Sequence, residues 1–449
     1  MIKKTKEFFE KSPKFLPVLL IFLIYGIAGT VFFSYFYLQN WNTSIYTINF
    51  EFGDLLENLV KKGEYRSAFK KELFHTELPI TYASHRLPLV PYFLASTIFL
   101  TGIETIGKIM LIKNLIFMAL MAISFYFTTT EKQIKAVYKW LLLAFMLSFP
   151  QLAFYGLGIE FEESYGIPAF ALLWGLVTFS GKPTRNFKIL FVFATVLLFF
   201  VKNTSLYICP LIPILYYILY RDKKVVAITY ALLLISVLGL SEMNYKNSGK
   251  FTPKYSFEGW NFYKGNCERT MDYYPLYNID YIDLVNPVIL PKETVKKEWD
   301  NDVFYKKLAF EYVSTHKFET FKRLFVKAFT VFVEIRPNAI WLNENRFDSP
   351  VKYVGAFFML IFRLLEFATI FAAIFSIRKH RKNKRLLTFS VAYLLFVAAF
   401  CGPYVLAYGY ERHILPIIIP VIYSAFYYFN EFFPKFQRRR SDDFSSSDR

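Results

Sequence analysis

FLPVLLIFLIYGIAGTVFFSYFYL, residues 15–38, runs without one charged side chain. It exceeds the roughly 20 residues that span a bilayer as a helix. It is also too long for a signal peptide and lacks a small-residue cleavage site, so it reads as a retained first span. Eight further apolar blocks follow, at 109–127, 137–155, 190–201, 206–220, 225–240, 354–377, 386–401 and 414–429. With 55% hydrophobic, 20% aromatic and only 20% charged residues in a chain of 449, the composition departs from that of soluble domains. The fold class expected is an all-α polytopic membrane protein.

The net charge of +18 does not point to nucleic acid, because the basic residues sit between apolar blocks. They cluster before Phe15, at Lys182, Arg185 and Lys188, at Arg221, Lys223 and Lys224, from Arg378 to Arg385, and from Lys435 to Arg440. That is the positive-inside pattern, which expects these loops and both termini in the cytoplasm of a cell inner membrane. Cys209, Cys267 and Cys401 are too scattered for a disulfide framework or a metal site. Four regions follow: 1–240 as the main membrane module with a first outer loop at 39–86, 241–350 as a large outer loop region, 351–433 as closing spans, and 434–449 as a disordered tail.

The first outer loop is acidic where it begins, INFEFGDLLENLVKKGEY (48–65), and basic where it ends, YASHRLPLVPYFLA (82–95). Apolar residues at 52, 55, 56, 59 and 60 have the spacing of an amphipathic surface helix, which puts Glu51 and Asp54 on its polar side. His85 and Arg86 close the loop at the mouth of the next apolar segment. Ionisable groups held at a membrane face are costly and suggest a function. Leu87–Thr101 is short for a span and the lysines at 132, 135 and 139 favour the cytoplasm, so one of the two segments before them must be bent or re-entrant. The register preferred puts FPQLAFYGLGIEFEESYG (149–166) on the outer side, with Glu160, Glu162 and Glu163 opening a helix. Lys202, in VKNTS, and Arg412 and His413, before the last apolar block, fall on the same side. A single lysine such as Lys202 also reads as snorkelling. In the large loop, SFEGWNFYKGN (256–266) offers aromatic faces and amides at Trp260, Asn261 and Asn266, groups that suit a sugar or a lipid head. Phe321–Ile335 has an amphipathic, interfacial pattern.

Phosphate-loop, HExxH, GxSxG and CxxC patterns are absent, which removes support for ATP-driven transport, zinc proteolysis and serine hydrolysis. What remains is a set of carboxylates, Glu51, Asp54, Glu162 and Glu163, with the cations Arg86, Lys202 and Arg412. Glycosyl transfer from a lipid-linked donor needs such a set: a carboxylate to take the acceptor's proton and cations to stabilise a phosphate leaving group. Guanidinium groups do the latter in a bidentate way.

The chain resembles the GT-C superfamily of polyprenyl-phosphate-sugar-dependent glycosyltransferases, in the bacterial branch similar to dolichyl-phosphate-mannose–protein mannosyltransferases and aminoarabinose transferases. The motifs, in order, are Glu51, Phe52, Asn58, Leu59, Gly63 and Tyr65; Arg86, Pro88, Leu89, Pro91, Leu94 and Ala95; Pro150 and Glu162; Lys202 and Thr204; Asn247, Gly249, Gly259, Asn261, Gly265 and Asn266; and Arg412. The resemblance implies a GT-C-like bundle of about 11 transmembrane helices with amphipathic juxtamembrane helices and one large extracytoplasmic loop region. It implies Glu51 as base, with Asp54 a turn later as the alternative, and Glu162 or Glu163 as a second acid. His85, Arg86, Lys202 and Arg412 fall to the donor phosphate. The partners implied are a polyprenyl-phosphate sugar and a lipid, glycan or protein acceptor among membrane lipids. Some members of the superfamily use a divalent cation; no cluster here compels one. An outer-face polysaccharide polymerase or ligase, and a lipid-linked-sugar flippase, stand as alternatives.

Overall fold

ESYGIPAFALLWGLVT is apolar on every side, which is the signature of a helix buried all round. It forms the centre of the computed structural model. The structure describes residues 16–36, 41–47, 52–68, 81–84, 86–129, 136–158, 162–178, 183–273, 298–335, 350–380, 383–407, 409 and 411–445. The chain begins with α1 (Leu16–Phe36), a 3-10 turn at Ile45–Thr47, α2 (Phe52–Lys62) and a two-residue antiparallel ladder of β1 (Ser67–Ala68) and β2 (Thr81–Tyr82). Next come α3 (Leu89–Thr101), α4 (Ile106–Thr129), α5 (Ala136–Ser148), α6 (Pro150–Leu157) and the central α7 (Glu163–Thr178). After these come α8 (Arg185–Phe199), α9 (Asn203–Ile208), α10 (Leu211–Tyr220) and α11 (Lys223–Ser248). Between α11 and the closing helices lie α12 (Glu258–Gly265), α13 (Thr270–Tyr273), α14 (Glu298–Thr315) and α15 (Lys317–Phe332). The chain closes with α16 (Pro350–Lys379), α17 (Lys384–Leu406) and α18 (Glu411–Ser445).

The fold is therefore predominantly helical, with the short β ladder as an addition to the all-α expectation. Among the described residues, Ile106–Thr129, Lys223–Ser248, Tyr353–Lys379 and Lys384–Leu406 are long and apolar enough to cross a membrane. The pair α5 and α6, bent by 67° at Phe149 and Pro150, is apolar enough to count as a fifth when taken as one broken span. The eleven or so spans expected are not all seen among the described residues, and several apolar blocks are interrupted. Pro150 lacks the amide that would continue α5, Lys202 adopts an extended backbone between α8 and α9, and Pro210 precedes α10. The last helix runs on to Ser445, where composition predicts disorder; after Pro434 the sequence holds neither Gly nor Pro to stop it.

α7 packs between α4 and α18. Hydroxyls and an indole join these helices where lipid-like surroundings offer no water. Ser124 Oγ donates to Ala171 O at 2.6 Å and lies 2.8 Å from Tyr423 Oη, while Trp174 Nε1 donates to Ser424 Oγ at 2.7 Å. The helices approach closely: a Cβ on Gly175 would lie 2.7 Å from Ser124 O.

The short α3 packs back against the first loop. Residues 41–47 pair with the start of α4, through Ile45 N to Glu104 O at 2.7 Å and Ile106 N to Thr43 O at 3.0 Å. Phe52, Leu56, Val90, Leu94, Ile98 and Ile106 share one apolar cluster with Ile45. Both ends of α3 thus lie beside the first loop. Its 13 residues reach only about 20 Å, less than a bilayer's apolar core. Of α3 and α4, α4 alone is long and apolar enough to cross a membrane, and the contact of Glu162 with Arg86 keeps the start of α7 beside the first loop.

Candidate functional site

The first loop builds a support for Arg86. α2 buries Phe52, Leu55 and Leu56 and leaves Asp54 on its exposed face. It ends at Gly63, whose φ of 68° is the left-handed conformation that terminates helices, with its N–H on Leu59 O at 3.2 Å. Asn58 Nδ2 then holds Arg66 O at 2.8 Å, and Tyr65 Oη donates to Arg86 O at 3.0 Å. The Arg86 guanidinium lies 5.2 Å from the centroid of the Phe52 ring. The motif residues of this loop thus fix the backbone and underside of the arginine.

Opposite it, the turn into α7 delivers two consecutive carboxylates to two different cations. Glu162 Oε1 accepts from Arg86 Nη1 at 3.2 Å, and Glu163 Oε1 accepts from Lys202 Nζ at 2.5 Å. The two pairs differ in environment. The side chains of Arg86 and Glu162 are 26% and 21% exposed, those of Lys202 and Glu163 only 8% and 6%. The first pair is partly exposed and the second is buried. Burial alone would lower the Lys202 pKa, but the Glu163 carboxylate more than offsets it and the net shift is upward, so the amine stays charged.

Lys202 also lies 5.7 Å from the Tyr404 ring centroid, and Tyr404 Oη is 3.4 Å from Thr204 Oγ1. The Tyr404 ring stacks on His413 with centroids 5.0 Å apart. The ends of α7, α8 and α17 and the start of α18 therefore meet at this point. Arg412 is in the first turn of α18, and its side chain lies outside the described residues, as do Glu51, His85 and Glu160.

The large loop region is clamped onto this centre. Buried Glu298 accepts on Oε2 from Ala83 N, Ser84 N and Ser256 Oγ at 3.0–3.1 Å, joining α14 to the segment just before Arg86. Burial pushes the Glu298 carboxyl up, against the pull of those hydrogen bonds. Trp260 packs edge-on against Tyr305 at 4.2 Å, and Asn261 Nδ2 donates to Tyr255 Oη at 2.6 Å. Asn266 Nδ2 donates to Phe262 O and Leu406 O, while its Oδ1 accepts from Lys327 Nζ at 2.9 Å. Trp260, Asn261 and Asn266 are thus engaged within the protein, and the Leu406 carbonyl that Asn266 holds lies two residues beyond Tyr404 at the end of α17. Gly259 and Gly265 permit close backbone approach: a Cβ there would fall 2.0 Å from Asp302 O and 1.9 Å from Ala407 O.

α15 carries the amphipathic pattern expected near 321–335, over Lys317–Phe332. Phe318, Phe321, Phe325 and Phe329 are each more than half exposed along one face, while Arg323 and Lys327 are buried on the other. Arg323 Nη1 donates to Cys267 O at 2.6 Å, and Lys327 Nζ also reaches Leu406 O at 3.2 Å.

The structure brings Arg86, Glu162, Glu163 and Lys202 together, with Asn266 close behind, and leaves Asp54 on an exposed helix face. Sequence reading missed Tyr404, Glu298, Lys327 and Lys113. Lys113 carried a signal as an ionisable side chain inside an apolar run, and Lys327 as a basic residue among phenylalanines. All three cysteines are buried and unbridged. Among the described residues no group of three His, Cys, Asp or Glu side chains is placed to hold a metal ion.

No protein-family model and no curated protein matches the chain. Among solved structures it is similar to the archaeal oligosaccharyltransferase AglB from Archaeoglobus fulgidus, in complex with an inhibitory peptide and a dolichol-phosphate. That match has 12% identity and a TM-score of 0.46, over 95% of this chain and 52% of that one. A second structure, of the Archaeoglobus fulgidus oligosaccharyltransferase in complex with Zn and sulfate, matches at 12% identity and a TM-score of 0.45, over 93% and 50%. The chain spans about half the length of these proteins. Likeness at that level assigns neither residues nor chemistry.

Proposed function

We propose that this protein is a membrane glycosyltransferase that moves a sugar from a polyprenyl-phosphate donor to a lipid, glycan or protein acceptor on the extracytoplasmic face. The observation that carries the reading is the pair of adjacent carboxylates, each set against a cation from a distant segment, at the ends of apolar helices. In this reading Arg86 faces the donor phosphate, with His85 and Arg412 beside it, and Lys202, buried against Glu163, adds positive charge from behind. As the anomeric C–O bond breaks, the electron pair stays on the phosphate oxygen, and the cations stabilise that charge where water is excluded. The acceptor oxygen forms the new bond from the opposite face as a carboxylate removes its proton. One displacement inverts the anomeric centre. Glu51 is the base in this reading, since Asp54 sits on the exposed face of α2; Glu162 is the second acid.

The test is transfer of label from a panel of radiolabelled polyprenyl-phosphate sugars to membrane lipids, glycans and peptides by the purified chain. We expect label transfer that Glu51→Gln, Glu162→Gln and Arg86→Ala each abolish, with an inverted anomer in the product. A retained anomer, or a sugar trapped covalently on Glu162, would refute the mechanism. Transfer undiminished in Glu51→Gln would remove Glu51 as the base.

A further inference from the structure

We infer that Lys113 is the positioning residue of the two-carboxylate turn. It sits two turns into α4, only 3% exposed, in a helix long and apolar enough to cross a membrane. An ionisable side chain in that setting is costly and needs compensation. Among the described residues no carboxylate pairs with it. Its Nζ instead donates to two backbone carbonyls, Gly156 O at 2.6 Å and Gly158 O at 2.7 Å. The rings of Phe117 and Tyr165 flank it, with centroids 5.8 and 5.9 Å away.

Those two carbonyls belong to the last turn and C-cap of α6, where helical carbonyls have no partner of their own and the helix dipole is negative. α6 is itself the broken half of a bent span, so nothing in a continuing helix fixes where its end points. From Gly158 the chain has only three residues before Glu162. A donor that clamps both 156 and 158 therefore sets where α7 starts, and with it the places of Glu162 opposite Arg86 and Glu163 opposite Lys202. Tyr165, on the first turn of α7, touches the same lysine from the other side. Gly156 is held in turn by close approach to Phe117, one turn along α4 from Lys113: a Cβ there would lie 2.7 Å from the ring. Lys113 acts on the carboxylates through the backbone, without touching substrate.

The inference rests on Glu162 and Glu163 being the site of the proposed reaction, so its test has an arm that does not depend on that reaction. Full-length protein in lipid nanodiscs, as wild type, Lys113→Met, Lys113→Gln, Lys113→Arg and Ser124→Ala, is followed by hydrogen–deuterium exchange. Ser124→Ala removes another buried donor of α4 and serves as the control. Lys113→Met is expected to speed exchange at least tenfold within residues 156–166 and less than twofold elsewhere, with Lys113→Arg returning most of the protection. In the transfer assay Lys113→Met is expected to lower kcat about 100-fold while KM stays within threefold, the effect of a displaced catalytic group rather than a lost ligand contact. Exchange unchanged at 156–166, or raised throughout the bundle, overturns the inference. So does failure of Lys113→Met and Lys113→Gln alike to fold, which would make Lys113 a determinant of folding. If wild type transfers no sugar, the proposed function fails while the exchange result still decides the role of Lys113.

Discussion

Replacing Lys202 by Met should destabilise the protein far more than replacing Arg86 by Met, although both lysine and arginine pair with neighbouring glutamates. The Lys202–Glu163 contact is 2.5 Å long with both side chains under a tenth exposed. Removing one partner of a buried pair leaves the other charge without compensation, at a cost of about 3–5 kcal/mol. That corresponds to a shift of roughly 10²-fold to beyond 10³-fold in the folding equilibrium. The Arg86–Glu162 contact is 3.2 Å long and a fifth to a quarter exposed, and such a pair contributes about 1 kcal/mol or less. Adding Glu163→Leu to Lys202→Met removes the stranded carboxylate, so the double variant should regain most of the loss. The assay is a pair of double-mutant cycles, with unfolding in mild detergent followed by tryptophan fluorescence, for which the fully buried Trp174 is a reporter. Equal coupling in the two cycles would refute the division into a buried anchor and an open pair. So would a cost for Lys202→Met below about 1 kcal/mol.

Two further expectations concern the loop region. Burial, with Arg323 adding to it, lowers the Lys327 pKa to about 7 from 10.5. Between those values the unfolded chain holds a proton that the folded one lacks, so stability rises with pH from about 7 toward 10.5 and levels off at its lowest below about 7. Lys327→Met should flatten that slope in unfolding measured at several pH values; an unchanged slope would show that another group sets it. Gly259→Ala and Gly265→Ala should each cost about 1–3 kcal/mol, because the new methyl meets backbone oxygens that cannot swing aside. Gly239→Ala, in open space within α11, should stabilise by up to about 1 kcal/mol through helix propensity. Thermal unfolding of the three variants checks both signs.

The spans were legible because apolar runs of this length have few other readings. Their interruptions were less so, since Pro150 is visible in the sequence but a 67° bend is not. Arg86, Glu162, Glu163 and Lys202 were each legible as charges at helix mouths. Their partnering was not, because the pairs are 76 and 39 residues apart and depend on how α3, α7 and α8 pack. Gly259 and Gly265 stood out as flanking an aromatic turn, yet the carbonyls that require them come from α14 and the end of α17. Nothing in the sequence around Glu298 marks it as the acceptor for residues 83 and 84. Lys113 could have been noticed as a lysine among leucines and isoleucines, but its role needs the end of α6, which no periodicity locates.

α15 answers to two media at once. In a bilayer its row of phenylalanines would float in the acyl boundary, while Lys327 and Arg323 moor the opposite side to Asn266, Cys267 and the end of α17. A float on a short mooring transmits the level of the surface it rides on. Thickness, curvature and headgroup packing of the surrounding lipid would then act as mechanical inputs at the end of α17, close to Tyr404 and Lys202. Detergent micelles, which lack a bilayer's fixed thickness and lateral packing, would leave that input unset.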